Sequence, residues 1–198
     1  MADAIKIDYS SLVKGGEVIK ALNKEMLDKV DSVLDANAEA IALEAKERAP
    51  KNFGNLANSI SADISKPLEK RITANSNYAA FMEFGTGKYA AAEVGKLSAM
   101  WQQYAATFKG QKGGSAEEMY NNILKWVHYK RIKWESAAKF KSGKKQGQSK
   151  MLTDEQTAWF IYHYILFNGV RAHPFMVPAY EHYRPKIIEQ VEAVLKNL

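Results

Sequence analysis

The sequence contains no cysteine and no long apolar run. Without cysteine, neither a disulfide, nor a thiolate metal site, nor a thiol nucleophile is available. A membrane-spanning helix needs about 18 or more apolar residues, and the most apolar segment, 158–167, is too short and contains His163. The rest of the composition, with 46% hydrophobic and 25% charged residues among 198, predicts a globular protein.

Patterns that carry catalysis are also missing. There is no G-x-x-x-x-G-K-[ST] phosphate loop and no G-x-S-x-G nucleophile elbow, and the acidic residues are spread along helix faces rather than clustered. No two histidines stand at a zinc-ligand spacing such as H-x-x-x-H. We therefore expect no enzyme activity, no cofactor and no metal site. For the four histidines we expect hydrogen-bonded structural roles; they are His128, His163, His173 and His182.

The positive charge is concentrated in one segment. Residues 109–150 carry 11 Lys and Arg against 3 Glu, a net charge of +8, whereas the whole chain carries +6. The remaining residues are therefore close to −2, and the basic character belongs to this segment alone.

The first half of the chain predicts a long helix followed by a hairpin. Apolar residues recur every three or four positions over 17–48, which predicts an amphipathic helix that Pro50 ends. Alternation over 59–64 and a second short strand at 70–74 predict a β-hairpin. The apolar residues 78–84 predict one or two helical turns ended by Gly85, which tolerates a positive φ.

The second half predicts further helices. Helical patterns cover 90–108 and 116–138, a loop covers 139–150, and Thr153 with Gln156 forms a capping box that opens a helix to about Phe167. Residues 170–178 are expected to be extended, because proline disfavours helix in the residue before it, and to join the sheet. A short helix over 184–198 follows, with Pro185 at its start.

Three short segments then stand out by their letters. The first reads AKERAP at 45–50, followed by Gly54-Asn55-Leu56 and Ser59-Ile60; the second reads NYAAFMEFGTG at 77–87; and the third reads AHPFMVPA at 172–179. In this order they resemble the "AP…tG.L..SI", "YA.y.EfGT" and "hPFl.PA" motifs of the tail-completion family of lambdoid long-tailed phages, the gene-ten-type neck proteins. The likeness covers about residues 20–90 and 168–198 and does not extend over 90–167.

The resemblance implies an α+β fold and a structural role. The long N-terminal helix and the C-terminal helix would pack on a small, mainly antiparallel sheet, with residues 1–89 and 168–198 as the core domain and 90–167 as a helical basic insertion. The protein would be a virion subunit of the neck or tail, assembled in the host cytoplasm. It would form a ring or collar of identical copies around the DNA channel, next to connector, stopper and tail-terminator proteins.

The family motifs supply the candidate interface residues. Glu83 lies in a mostly apolar segment, so a buried Glu83 would need loop amides or a basic group of a neighbouring subunit as a partner. Phe175 is expected to bury apolar area, and Pro174 and Pro178 stiffen their segment. The segments containing these residues could serve subunit contacts or internal packing. The candidates are Gly54, Leu56, Tyr78, Glu83, Phe84, Gly85, Thr86, His173, Pro174, Phe175 and Pro178.

The basic segment leaves a second reading open. Lysines and arginines alternate with aromatic residues there, a pattern that can bind nucleic acid through phosphate contacts and base stacking. The same pattern fits a solvated helix face, or a surface that docks on an acidic neighbour. The alternative function is thus a basic DNA-binding accessory protein acting through 109–150. The residues concerned are Lys125, Lys130, Arg131, Lys133, Lys141, Lys144 and Lys145.

Overall fold

The computed structural model describes residues 5–8, 24–51, 54–110, 114–139 and 149–196. Within these ranges the chain forms eight helices and five strands, which confirms the predicted α+β class. The helices are α1 (Lys24–Arg48), α2 (Asn55–Asn58), α3 (Ala79–Phe84), α4 (Gly87–Val94), α5 (Ala99–Ala106), α6 (Ala116–Lys130), α7 (Asp154–Asn168) and α8 (Met176–Lys196). The strands are β1 (Ile5–Asp8), β2 (Ile60–Lys66), β3 (Glu69–Ala74), β4 (Glu135–Lys139) and β5 (Ser149–Met151).

Helix α1 is the central element of the core. It packs against β2 and β3 on one side and along α8 on the other. Its buried positions recur at helical spacing, including Val30, Leu34, Ile41 and Ala45. The prediction of a long helix is confirmed from Lys24 onward, while its expected first turns at 17–23 lie outside the described residues.

The main sheet has three antiparallel strands in the order β1-β3-β2. The predicted hairpin is confirmed as β2 and β3, and alternate β3 residues are buried, including Ile72 and Ala74. The third strand was predicted wrongly. Residues 170–175 are not helical but lie outside the sheet, and β1 pairs with β3 instead, with Ile5 opposite Ala74. A four-residue strand carries too little periodicity to be found from the sequence.

Two helical predictions were too long. The segment 90–108 is divided into α4 and α5, since Gly95 ends the first and Ser98 precedes the second. The helix expected over 116–138 ends at Lys130, because Arg131 takes a left-handed conformation with φ of 53°. Residues 135–139 then pair with β5 as a two-stranded antiparallel ribbon. The loop predicted at 139–150 falls mostly on 140–148, outside the described residues.

The C-terminal helix is longer than the sequence indicated. Helix α8 begins at Met176, so Pro178 lies in its first turn and Pro185 lies inside it rather than at its start. An interior proline removes one backbone hydrogen bond and costs about 3 kcal/mol. Contacts with α1 on both sides of Pro185 offset this cost. His182 Nδ1 lies 2.6 Å from Glu44 Oε2, and Asn37 donates to Gln190 Oε1 at 2.7 Å.

Helices α6 and α7 pack against each other in the second half of the chain. The predicted capping box is confirmed at α7, where the Gln156 N–H donates to Thr153 Oγ1 and the Thr153 N–H donates to Gln156 Oε1. Helix α5 joins the main core through Trp101, and Phe108 lies just beyond its end in the same core. No helix of the described residues has the length and apolar character needed to cross a membrane.

Candidate functional site

The second and third sequence motifs meet at one buried carboxylate. Glu83, at the end of α3, is only 2% exposed and accepts three backbone hydrogen bonds from the start of α8. The N–H groups of Phe175 and Met176 donate to Oε2, and that of Val177 donates to Oε1, each at 2.9 Å. Backbone amides are therefore the partners of Glu83, but they belong to the start of a helix and not to a loop as expected.

This carboxylate satisfies every donor at the helix start. The first four N–H groups of a helix have no acceptor within it. At α8 three of them donate to Glu83, and the fourth position is Pro178, which has no N–H. The negative charge also lies at the positive end of the helix dipole. Burial raises the pKa of Glu83, and the three amide donors act against that rise without reversing it.

The residues after Glu83 lie directly against the segment that precedes α8. The Thr86 N–H donates to the Val170 carbonyl at 2.9 Å, and the Val170 N–H donates back to Thr86 Oγ1 at 2.8 Å. The His173 N–H donates to the Met82 carbonyl at 2.6 Å. Together with the Glu83 contacts, these bonds connect residues 82–87 to residues 168–177, and we call this contact the joint.

The joint requires glycine because two backbones come close together. A Cβ on Gly169 would stand 2.1 Å from the Thr86 carbonyl oxygen, and one on Gly87 would stand 2.8 Å from that of Asn168. Both glycines also have positive φ, 85° and 57°. No side chain fits at Gly169 unless the two segments separate.

We expect Gly169→Ala to destabilise the protein by about 3–4 kcal/mol. The substitution adds backbone strain of about 1–3 kcal/mol, because φ of 85° with ψ of −177° is a combination that essentially only glycine adopts, and it also breaks hydrogen bonds of the joint worth about 1 kcal/mol each. Gly110→Ala is the matched control, because Gly110 has a similar φ of 82° but nothing within 4 Å of an added Cβ. Urea unfolding should show a loss of only about 1 kcal/mol for the control. Equal losses for the two variants would contradict the close approach.

Aromatic residues of α5 and of the turn after it pack against residues at the joint and in α8. Phe84 is buried against Tyr104 and Phe108, with ring centroids 6.3 and 6.0 Å away. Trp101 packs edge-on against Tyr180 of α8 at 5.5 Å, and its indole N–H donates to Glu181 Oε1 at 2.7 Å. Helix α5 is thus fixed to the second motif through Phe84 and to α8 just after the third motif, although it lies outside both motifs in sequence.

The first motif forms the turn between α1 and the sheet. Gly54 precedes the short helix α2 with φ of 74°, a left-handed conformation that lets the chain turn sharply after α1. Leu56 is buried in the main core with Ala49 and Ile60. The three motifs therefore surround one core rather than three separate sites.

Residues 16–85, which are 70 of the 198 residues, match the family model described as "Bacteriophage HK97-gp10, putative tail-component". This segment is HK97-gp10-like. It contains the first motif and residues 77–85 of the second, so the resemblance read from the sequence is confirmed there, and the match indicates a phage tail component. No curated protein and no solved structure gave a significant match.

The interface candidates divide by their exposure. Five candidates are buried inside the protomer. They are Leu56, Glu83, Phe84 and Gly85 in the HK97-gp10-like segment and Phe175 outside it. His173 and Pro174 are exposed, on the turn that leads into α8. The remaining candidates are half-buried; they are Gly54, Tyr78, Thr86 and Pro178. The buried members can affect a neighbouring molecule only by positioning the exposed ones.

The basic candidates lie apart from the joint. Lys125, Lys130, Arg131 and Lys133 are exposed along α6 and the turn after it, whereas Lys141, Lys144 and Lys145 lie outside the described residues. Their surface also contains an acid. Lys133 Nζ lies 2.8 Å from Asp154 Oδ1, and His128 Nδ1 lies 3.0 Å from Asp154 Oδ2, and these partners lower the pKa of Asp154.

A buried lysine was missed in the sequence. Lys70 on β3 has no exposed surface, and its Nζ lies 2.8 Å from Asp31 Oδ1 and 2.5 Å from Asp35 Oδ1 on α1. Asp31 also accepts the N–H of Leu68 in the hairpin turn at 2.6 Å. Two sequence spacings could have indicated this contact. Lys70 and the apolar Ile72 are two residues apart and therefore lie on the same face of β3, and Asp31 and Asp35 are four residues apart and therefore lie on the same face of α1. In the described residues, no three His, Asp or Glu side chains are grouped to hold a metal.

Proposed function

We propose that the protein is a structural subunit of the phage neck or tail, which completes the tail and joins it to the head. It does so by assembling with copies of itself, as a ring or collar around the DNA channel, and with neighbouring connector, stopper and terminator proteins. It resides in the virion after assembly in the host cytoplasm, and it carries out no catalysis. The alternative of DNA binding through 109–150 gains no support from the four candidate cations that the structure describes, because one of them, Lys133, is paired with Asp154.

The observation that carries this proposal is the joint. The family match ends at residue 85, but the third motif lies nearly 90 residues further along the chain. Glu83 connects the two through α8, so the features that resemble the phage family belong to one packed unit. That unit also favours the proposed division into a core of 1–89 with 168–198 and an insertion of 90–167.

In this proposal the exposed part of the joint contacts neighbours. His173 and Pro174 project from a turn whose two ends are fixed by the Met82 carbonyl and by Glu83. A fixed turn loses little conformational entropy when it docks, so it suits repeated subunit contacts. The buried motif residues hold this surface in place.

The proposal predicts a specific assembly defect. In a phage that carries the gene, a nonsense codon at an early position should leave DNA-filled heads and separate tails, visible by electron microscopy. A wild-type copy supplied in trans should restore infectious particles. Peptide mass spectrometry of purified virions should find the chain in low, stoichiometric copy number, in the fraction that contains tails or necks.

Two results would refute the proposal. One is a normal yield of joined particles from the nonsense mutant. The other is a chain that is abundant in infected cells but missing from purified virions.

A further inference from the structure

Helix α7 has an apolar outer face that the described residues leave uncovered. Thr157 and Ala158 are buried on its inner side, which packs against α6. At 100° per residue, the outer residues occupy one continuous arc of about 160°. Going around that arc, they are Leu166, Trp159, His163, Phe167, Phe160 and Tyr164. We call this arc the aromatic face.

The exposure of this face is unusual for its composition. Phe167 is 85% exposed, and Trp159, Phe160, Tyr164 and Leu166 are each about half exposed. A helix that is apolar all round is normally buried. With roughly 200 Å² for a large apolar side chain, these five residues leave roughly 600 Å² of apolar surface in water, at the upper limit for a monomer.

The aromatic face is also ordered by its own contacts. The Trp159 ring lies 3.9 Å from the His163 ring and 5.3 Å from the Phe160 ring, measured between centroids. The Tyr164 hydroxyl lies 2.9 Å from that of Tyr89 on α4, which fixes one edge of the arc. Rings that are already positioned lose little entropy on binding, as in aromatic contact surfaces of other proteins.

Charge decides which partner fits. Residues 156–168 contain no Lys, Arg, Asp or Glu, so the centre of the aromatic face carries no charge that could pair with a charged surface or with phosphates. Lys88 and Arg171 lie only at its Tyr164 edge, where Lys88 Nζ donates to Asn168 Oδ1 and Arg171 lies over the Tyr89 ring. Two copies of the same face meet without repulsion. Such a pair would bury at most roughly 1,200 Å² in total, the lower end of the range for specific interfaces.

We propose that the aromatic face of α7 binds the same face of a second copy of this chain, as a two-fold symmetric pair of helices. This goes beyond the proposed function, because it concerns the chain in solution before it meets any tail protein. A two-fold pair uses its surface completely and cannot by itself close a ring of more than two subunits. Any larger ring therefore needs a second surface, and the exposed turn at His173 is separate from α7.

The test is the self-association of the purified full-length chain. Sedimentation velocity over a wide concentration range should show wild-type protein shifting from monomer to dimer. Phe167→Glu and Phe160→Glu each place two like charges in the pair, and each should raise the dimer dissociation constant about 30-fold or more. Leu43→Glu is the matched control, since Leu43 is 60% exposed on α1, and it should change the constant less than about threefold.

A chemical readout distinguishes the two-fold pair from other contacts. Because the chain has no cysteine, Phe167→Cys and Leu43→Cys each provide a single thiol for labelling. Labelling at 167 should slow as protein concentration rises, and labelling at 43 should not. The proposal is overturned if wild type stays monomeric throughout, or if dimers persist in both charged variants while circular dichroism shows them folded. Absence from virions would refute the neck role and leave this result unaffected.

Discussion

Glu83→Ala is expected to lower the free energy of unfolding by about 3–5 kcal/mol. The substitution removes the acceptor of three buried N–H groups at the start of α8, and each unsatisfied buried donor costs about 1–3 kcal/mol. It also removes a favourable charge from the helix N-terminus. Since small domains are stable by only about 5–15 kcal/mol, urea unfolding should show a large shift in midpoint.

Two further variants make that measurement specific. Glu83→Gln keeps the shape and one acceptor oxygen, but its NH₂ group must face a backbone donor, so we expect an intermediate loss of about 1–3 kcal/mol. Glu93→Ala removes an exposed carboxylate that pairs with Lys96, and we expect less than about 0.5 kcal/mol. If Glu83→Ala lowers the free energy of unfolding no more than Glu93→Ala does, the stability of the joint does not depend on the Glu83 carboxylate.

Lys70→Met is the second substitution with a large expected effect. We expect it to lower the free energy of unfolding by about 2–4 kcal/mol. Removing one member of a buried ion pair leaves its partners without compensation, and here two aspartates would share a partly buried site. The control is Lys66→Met. Lys66 pairs with Glu69 at 3.5 Å on the exposed side of the hairpin, so its loss should cost less than about 0.5 kcal/mol.

The pH dependence of the Lys70→Met effect follows from the same cluster. Burial of Lys70 tends to lower its pKa, but Asp31 and Asp35 outweigh burial and raise it. Burial likewise opposes the shift at Asp31, where Lys70 and the Leu68 N–H lower the pKa below its usual 3.8. A lowered carboxylate pKa contributes stability that is present above the unfolded pKa and lost as pH falls through the folded pKa. The difference in free energy of unfolding between wild type and Lys70→Met should therefore stay constant as pH falls to about 4, and it should become smaller below pH 4.

The parts of the fold that local signals encode were predictable. The helical repeat of α1, the alternation of the hairpin, the Gly85 stop and the Thr153 capping box each lie within a few residues, and each was confirmed. The need of Glu83 for a polar partner was also predictable, because a carboxylate in an apolar segment has few ways to be satisfied. That its partners are backbone amides at the start of a helix was not.

Contacts between distant segments explain the errors. The prolines at 174, 178 and 185 indicated an extended strand and a late helix start, but Pro178 occupies a first-turn position of α8 and α1 supports the helix across Pro185. Arg131 ends α6 in a left-handed turn that its own sequence does not favour. The buried Lys70 depends on aspartates more than thirty residues away, and the exposure of α7 depends on what packs beside it.

The joint has a consequence for how the protein is made. Glu83 and its donors are separated by 92 to 94 positions, so the carboxylate is synthesised long before α8 exists. During translation, α1 and the hairpin can form early, but the core must remain open until nearly the whole chain has left the ribosome. Closing so long a loop also makes folding slow relative to that of helical bundles of similar size. A ribosome that stops within 87–168 would therefore release a chain whose core cannot close, and such fragments should be cleared by proteases instead of competing with the complete protein for places in a particle.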